Sequence, residues 1–178
     1  MTGAASAPGT SIHASAVRVG DRAILIRGPS GAGKSRLAFD LILAGRAAQI
    51  PHAVLVGDDR LHLEVSGGQL VVRPAPALAG LIEIRGLGIR RCEFIPEAVV
   101  GLVVDLAAMD AERLPPPTAR TIRLSGVDLP RIPIAAGFSP LTLVVAALIT
   151  TESSPSVNLS DRCVKGIGNH IQSTIATE

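Results

Sequence analysis

Ala23-Ile24-Leu25-Ile26-Arg27-Gly28-Pro29-Ser30-Gly31-Ala32-Gly33-Lys34-Ser35 is the stretch on which the rest of the chain turns. Residues 28–35 fill the phosphate-binding loop pattern of Gly, four residues, Gly, Lys and Ser or Thr. The apolar run 23–26 before it reads as a buried strand. Arg36-Leu37-Ala38-Phe39-Asp40-Leu41-Ile42-Leu43 after it reads as a helix with Leu37, Leu41 and Phe39 turned inward. Successive backbone N–H groups can curl around an anion only where no Cβ blocks the approach, hence Gly28, Gly31 and Gly33. The positive end of the following helix points the same way, so the loop suits a polyphosphate. Lys34 would reach its terminal phosphates and the Ser35 hydroxyl would ligate Mg²⁺. The pattern, with strand and helix in place, implies a nucleoside triphosphate site made by Gly28, Pro29, Ser30, Gly31, Ala32, Gly33, Lys34 and Ser35.

Outward on the N-terminal side, residues 12–19 alternate as a strand, with Ile12, Ala14 and Ala16 on one face and His13, Ser15 and Val17 on the other. Gly20-Asp21 turns that strand into the loop-bearing one, which places His13 beside the phosphate loop. On the other side, Ala44-Gly45 supplies a C-cap for the helix. Ala53-Val54-Leu55-Val56 is a short buried strand ended by Gly57-Asp58-Asp59-Arg60. Carboxylates directly after such a strand suit phosphoryl transfer, one near the metal and one facing the attacking hydroxyl. Without a phosphate loop nearby, the same residues read equally well as an Asp-rich turn.

Further along, Ser66-Gly67-Gly68-Gln69 joins two hairpin strands. A period-two strand over 81–89 would set Glu83 and Arg85 on one face, where Glu83 can support a metal and Arg85 can grip phosphate. The bland reading is a surface ion pair on an edge strand. Residues 98–106 end in Asp105, a second apolar run with a carboxylate; because apolar chain follows it, this segment reads as a core strand with Asp105 at its rim. Short strands at 121–124 and 129–134, then a helix over 141–150 opened by Pro140, complete the domain.

Composition narrows the classes. With 178 residues there is room for one domain with a substantial core. The core must be aliphatic, since there are three Phe and no Trp or Tyr. A net charge of +2 without a Lys/Arg block argues against a nucleic-acid partner. Cys92 and Cys163 lack metal or redox spacing and read as reduced thiols of a cytoplasmic protein. No apolar run is long enough to span a bilayer, and residues 1–8 lack the basic and apolar regions of a signal peptide. Residues 1–10 read as a flexible tail, 11–150 as the catalytic domain, and 151–178 as a tail with a weak helix over 159–175.

Four blocks in order, Ile12-His13-Ala14-Ser15, the loop 28–35, Leu55-Val56-Gly57-Asp58-Asp59-Arg60-Leu61 and Ile82-Glu83-Ile84-Arg85-Gly86-Leu87-Gly88-Ile89, resemble the catalytic domain of HPr kinase/phosphorylase. The last block is similar to that family's signature segment. The resemblance covers residues 12–150 and implies an α/β fold, a mixed P-loop sheet flanked by helices like that of phosphoenolpyruvate carboxykinase. It implies ATP, Mg²⁺ and an HPr-type phosphocarrier as partner, and a hexamer. Carried over, Asp58 would accept the proton of the incoming serine hydroxyl, Ser35, Asp59 and Glu83 would place the metal, and His13, Lys34 and Arg85 would contact the reacting phosphates. The chain opens at the catalytic domain, as in the short alphaproteobacterial form. The family's Gly-Arg-Asn loop before the late helix corresponds here to Ala136-Gly137-Phe138-Ser139, without an Arg, and Arg131 lies upstream of it. That loop is tied in the family to dephosphorylation, so the resemblance supports the kinase half more firmly than the phosphorylase half. Two competing readings are a small-molecule kinase and a nucleotide-binding docking module without turnover.

Overall fold

The computed structural model describes residues 10–151. The N-terminal tail, the weak helix over 159–175 and Cys163 lie outside the described residues. In chain order the elements are β1 (Thr10–His13), β2 (Ser15–Val19), β3 (Arg22–Arg27), α1 (Lys34–Arg46), β4 (Ala53–Gly57), β5 (Arg60–Ser66) and β6 (Gln69–Pro74). Then follow β7 (Leu81–Ile84), β8 (Gly88–Arg91), β9 (Ala98–Leu106), β10 (Thr121–Leu124), β11 (Val127–Ile134) and α2 (Pro140–Ile149). Nine strands form one mixed sheet in the order β1-β5-β6-β9-β3-β2-β4, with β11 beside the end of β9 and β10 beside β11. β7 and β8 pair as a separate ribbon. The fold is the mixed α/β class read from the sequence, with a large sheet and few helices.

Both faces of β3 are covered, which is why it reads as a continuous apolar run rather than an alternating one. Ile24 and Ile26 pack with Leu37 and Leu41 of α1 and with Val144 of α2. Leu25 and Ala23 face the opposite side, among Val56 of β4 and Leu61, Leu63, Leu70 and Val72 of the β5–β6 hairpin. One face of the sheet is thus closed by the two helices and the other by strands. Each buried Leu, Ile or Val contributes roughly 1.5–3 kcal/mol, so the fully buried core is aliphatic, with Phe39 of α1 packed half-buried against its helix side.

Strand directions decide where chemistry can sit. β9 runs parallel to β3, and β11 runs parallel to β9. β2 is antiparallel to both β3 and β4, so β4 points the same way as β3. The C-terminal ends of β3, β4, β9 and β11, together with the start of β2, therefore share one rim. Ligands of open α/β sheets collect beyond the carboxyl ends of the strands.

Three local readings are corrected. The strand over 12–19 breaks at Ala14: β1 pairs with β5, and β2 lies between β3 and β4. The first helix runs from Lys34 to Arg46 and passes through Gly45, so Gly45 is not its C-cap. A Cβ at Gly45 would lie 2.7 Å from the Ala53 nitrogen; the glycine lets helix and β4 touch. The single strand over 81–89 is a hairpin that turns at residues 85–87, with Gly86 and Gly88 at φ +89° and +79°. Arg85 consequently sits in a turn rather than on the face that carries Glu83.

Candidate active site

The loop leaving β3 starts at Gly28, whose φ is +147° and whose added Cβ would meet the Leu106 carbonyl oxygen at 2.9 Å. Sequence and packing here demand the same residue: the loop must pass tightly under the end of β9. Gly33, at φ +95°, caps α1, and Lys34 begins the helix. Lys34 Nζ donates to the carbonyls of Gly28 and Pro29, 3.0 Å each, bending the side chain back over its own loop. Burial lowers the Lys34 pKa, with the carboxylates of Asp58 and Asp59 acting in the opposite direction.

The Asp pair follows β4 and its two members differ sharply. Asp58 is buried. Its Oδ1 accepts hydrogen bonds from Ser15 Oγ at 2.5 Å and Ser35 Oγ at 3.0 Å, and its Oδ2 accepts one from the Glu83 backbone N–H at 3.2 Å. Asp59 stands in the left-handed region, φ +68°, which throws its carboxylate outward. There His13 Nδ1 lies 3.0 Å from Asp59 Oδ1 and 3.0 Å from the Asp59 carbonyl oxygen. Both of these are acceptors, so Nδ1 carries the proton.

The structure brings together His13, Lys34, Ser35, Asp58, Asp59 and the backbone of Glu83. Arg85 comes near from the hairpin turn: an ideal Cβ at Gly31 would lie 4.0 Å from Arg85 Nη2. Ser15 is the site residue that the sequence reading missed; its hydroxyl is fully buried at the start of β2, which only the structure displays. Among the described residues no three His, Cys, Asp or Glu side chains converge as a metal cage. The Ser35 hydroxyl and Asp58 carboxylate are nonetheless hard oxygen donors side by side, which fits Mg²⁺, a cation that takes one or two carboxylates and completes its shell with phosphate and water.

Asp105, the competing carboxylate, is engaged elsewhere. Arg27 donates two hydrogen bonds of 2.7 Å to it and Arg131 Nε one of 2.5 Å. Burial alone would raise the Asp105 pKa, but the two guanidiniums outweigh it and hold the carboxyl below its usual value. Arg131 also grips Asp110 and the Ala119 carbonyl, so its guanidinium is committed away from the loop. Cys92 is a free thiol whose pKa burial pushes up. No helix among the described residues is long and apolar enough to cross a membrane.

Residues 4–158 match the model of the HPr Serine kinase C-terminal domain. The chain is 31% identical over 182 aligned positions to an HPr kinase/phosphorylase of an Exiguobacterium species, covering 94% of this chain and 56% of that protein. It is 31% identical over 140 positions to the HPr kinase/phosphorylase of Neisseria meningitidis, covering 70% of this chain and 42% of the relative. The chain thus spans about half the length of the curated relatives it matches. Among solved structures, the Hpr(Ser) kinase/phosphatase from Coxiella burnetii superposes with a TM-score of 0.63 at 26% identity, over 79% of this chain and 93% of that one.

Proposed function

The chain belongs to the family of the HPr Serine kinase C-terminal domain, and from that premise we propose that it transfers the terminal phosphoryl group of ATP to a serine of an HPr-type phosphocarrier. The observation that carries this reading is the convergence of the loop lysine, the Ser35–Asp58 pair and the outward Asp59–His13 pair on one rim of the sheet.

The roles divide by accessibility. Asp58 is buried and accepts from Ser15, Ser35 and the Glu83 N–H, which leaves one Oδ2 lone pair free for a cation and little room for an incoming hydroxyl, so it belongs with Ser35 on the metal side. Asp59, exposed and steadied by His13, is the carboxylate that an incoming serine can reach, and it takes the hydroxyl proton. This reverses the division carried over from the family resemblance, in which Asp58 was the base. Ser35 and Asp58, with Glu83 beside them, would hold Mg²⁺, which when bound neutralises charge on the phosphates. Lys34 exchanges the Gly28 and Pro29 carbonyls for phosphate oxygens, and Arg85 offsets charge on the side of Gly31. A serine hydroxyl is a weak nucleophile, and an in-line displacement needs alignment and charge neutralisation above all. The products are ADP and phosphoserine. The stretch 136–139 holds no Arg, and Arg131 is bound to Asp105 and Asp110, so the reading is of a kinase first. A cytoplasmic location and a hexameric assembly belong to the same proposal.

Intact-mass analysis of an HPr-type phosphocarrier incubated with this chain and Mg-ATP tests the reading. A gain of one phosphate that disappears with the acceptor Ser→Ala variant is the expected result. No gain while ATP still binds would overturn it in favour of a docking module.

A further inference from the structure

Four polar or charged residues are buried among the described ones: Ser15, Lys34, Asp58 and Asp105. Lys34 and Asp58 belong to the phosphate-loop site, and Asp105 is tied to Arg27 and Arg131. Ser15, at 0% exposure, is the fourth. Burying a hydroxyl is costly unless its proton finds an acceptor, and here that acceptor is Asp58 Oδ1 at 2.5 Å. We propose that Ser15 is a positioning residue for the cation: its hydroxyl holds the Asp58 carboxylate in the orientation that Mg²⁺ requires. The proposal rests on the reading of Ser35 and Asp58 as the seat of Mg²⁺.

The backbone brings this hydroxyl to the carboxylate. β2 runs antiparallel to β4 with Val17 opposite Leu55 and Ala16 opposite Gly57, so β4 carries one extra residue, Val56, between those two pairs. Continuing the register beyond Ala16 sets Ser15 opposite Asp58. Without the extra residue Ala14 would stand there, and a methyl would replace the hydroxyl. Irregularities of this kind re-aim side chains beside active sites. Ser15 and Ser35 donate to the same oxygen of Asp58 but differ in reach. Ser35, half-buried on the first turn of α1, can turn a lone pair to a cation. Ser15, with no exposed surface, acts only through Asp58. The terminal torsion of an aspartate is soft, so its partners set the carboxylate plane. The Glu83 N–H approaches Oδ2 at 3.2 Å, and once Ser35 is recruited to the cation, Ser15 is the hydroxyl that keeps Oδ1 in place. Hydrogen-bond partners behind a metal ligand typically govern metal affinity by about 10–100-fold.

Calorimetry of ATP binding to the full chain, in EDTA and in saturating Mg²⁺, is the test; the ratio of the two affinities is the contribution of the metal. Ser15→Ala should cut that ratio by about 10–100-fold, while its binding in EDTA stays with the wild type. Ser15→Cys refills the volume with a weak donor and should remain impaired. A Ser15→Ala chain with the wild-type ratio would overturn the proposal. So would a Ser15→Cys chain that regains the full ratio, because volume rather than the hydroxyl would then be responsible. Equal loss in EDTA and in Mg²⁺ would also overturn it, as the mark of a purely structural role. Asp58→Asn and Ser35→Ala distinguish the two levels of the argument. If they lose the ratio while Ser15→Ala keeps it, this proposal alone fails; if they keep it too, the seat of Mg²⁺ beneath it fails.

Discussion

Strands β4 and β9 are both apolar runs with an Asp at their C-terminal end, Asp58 just after β4 and Asp105 one residue before the end of β9, and both carboxylates reach the same rim of the sheet. At β4 the carboxylate of Asp58 meets two serine hydroxyls and a backbone N–H, with Lys34 close enough to feel its charge. At β9 the carboxylate of Asp105 meets two guanidiniums. Hydroxyls can be exchanged for a metal or a phosphate at little cost, whereas a charge held by two arginines is a fixed structural tie. One local pattern thus yields an exchangeable hydroxyl-bonded carboxylate in one case and a clamp in the other. What separates them is the side chain that neighbouring strands bring to each carboxylate: Ser15 from β2 at Asp58, against Arg27 from β3 and Arg131 from β11 at Asp105.

The contrast can be broken by substitution. Asp105→Ala leaves Arg27 and Arg131 without their shared partner and should cost about 3–5 kcal/mol of folding stability in denaturant unfolding. A loss under 1 kcal/mol would mean that the clamp is ornamental. Lys34→Ala should weaken ATP binding by about 100-fold, since hydrogen bonds to charged groups are worth roughly 1.5–3 kcal/mol. Titration calorimetry reads that loss, and the unfolding midpoint should not fall, because the lysine charge is desolvated in the folded state. Gly45→Ala forces a methyl against the Ala53 backbone and should cost about 1–3 kcal/mol.

The smallest effect concerns acid. The folded Asp105 pKa is held below its ordinary 3.8, so its stabilising contribution is present above that value and fades as pH falls through the folded pKa. Asp105→Asn should therefore flatten the stability curve below about pH 4 relative to wild type, in urea melts taken across that range. A curve with the unchanged acid slope would place the acid-sensitive charge elsewhere.

Much of this contrast was legible in the chain itself. The loop declared itself because Gly28, Gly33, Lys34 and Ser35 answer to local geometry, and Asp105 was correctly read as a rim residue of a core strand. The break at Ala14 was hidden, because Ile12 to Val19 alternates smoothly and only pairing with β5 on one side and β3 and β4 on the other splits it. The hairpin at 85–87 escaped because Gly86-Leu87-Gly88 reads equally as a strand interruption. Gly45 misled for a tertiary reason, the contact with Ala53. The division between Asp58 and Asp59 depends on Ser15 and on a positive φ, neither of which a linear pattern displays.

The most direct test runs wild type, Asp59→Asn and Asp105→Asn side by side, following phosphate gain on an HPr-type phosphocarrier by intact mass under Mg-ATP. The account predicts that Asp59→Asn binds ATP normally but transfers at least about 100-fold more slowly. Asp105→Asn, below its melting point, should transfer at close to the wild-type rate. An Asp59→Asn enzyme that transfers normally, or an Asp105→Asn enzyme that is folded and silent, would contradict it.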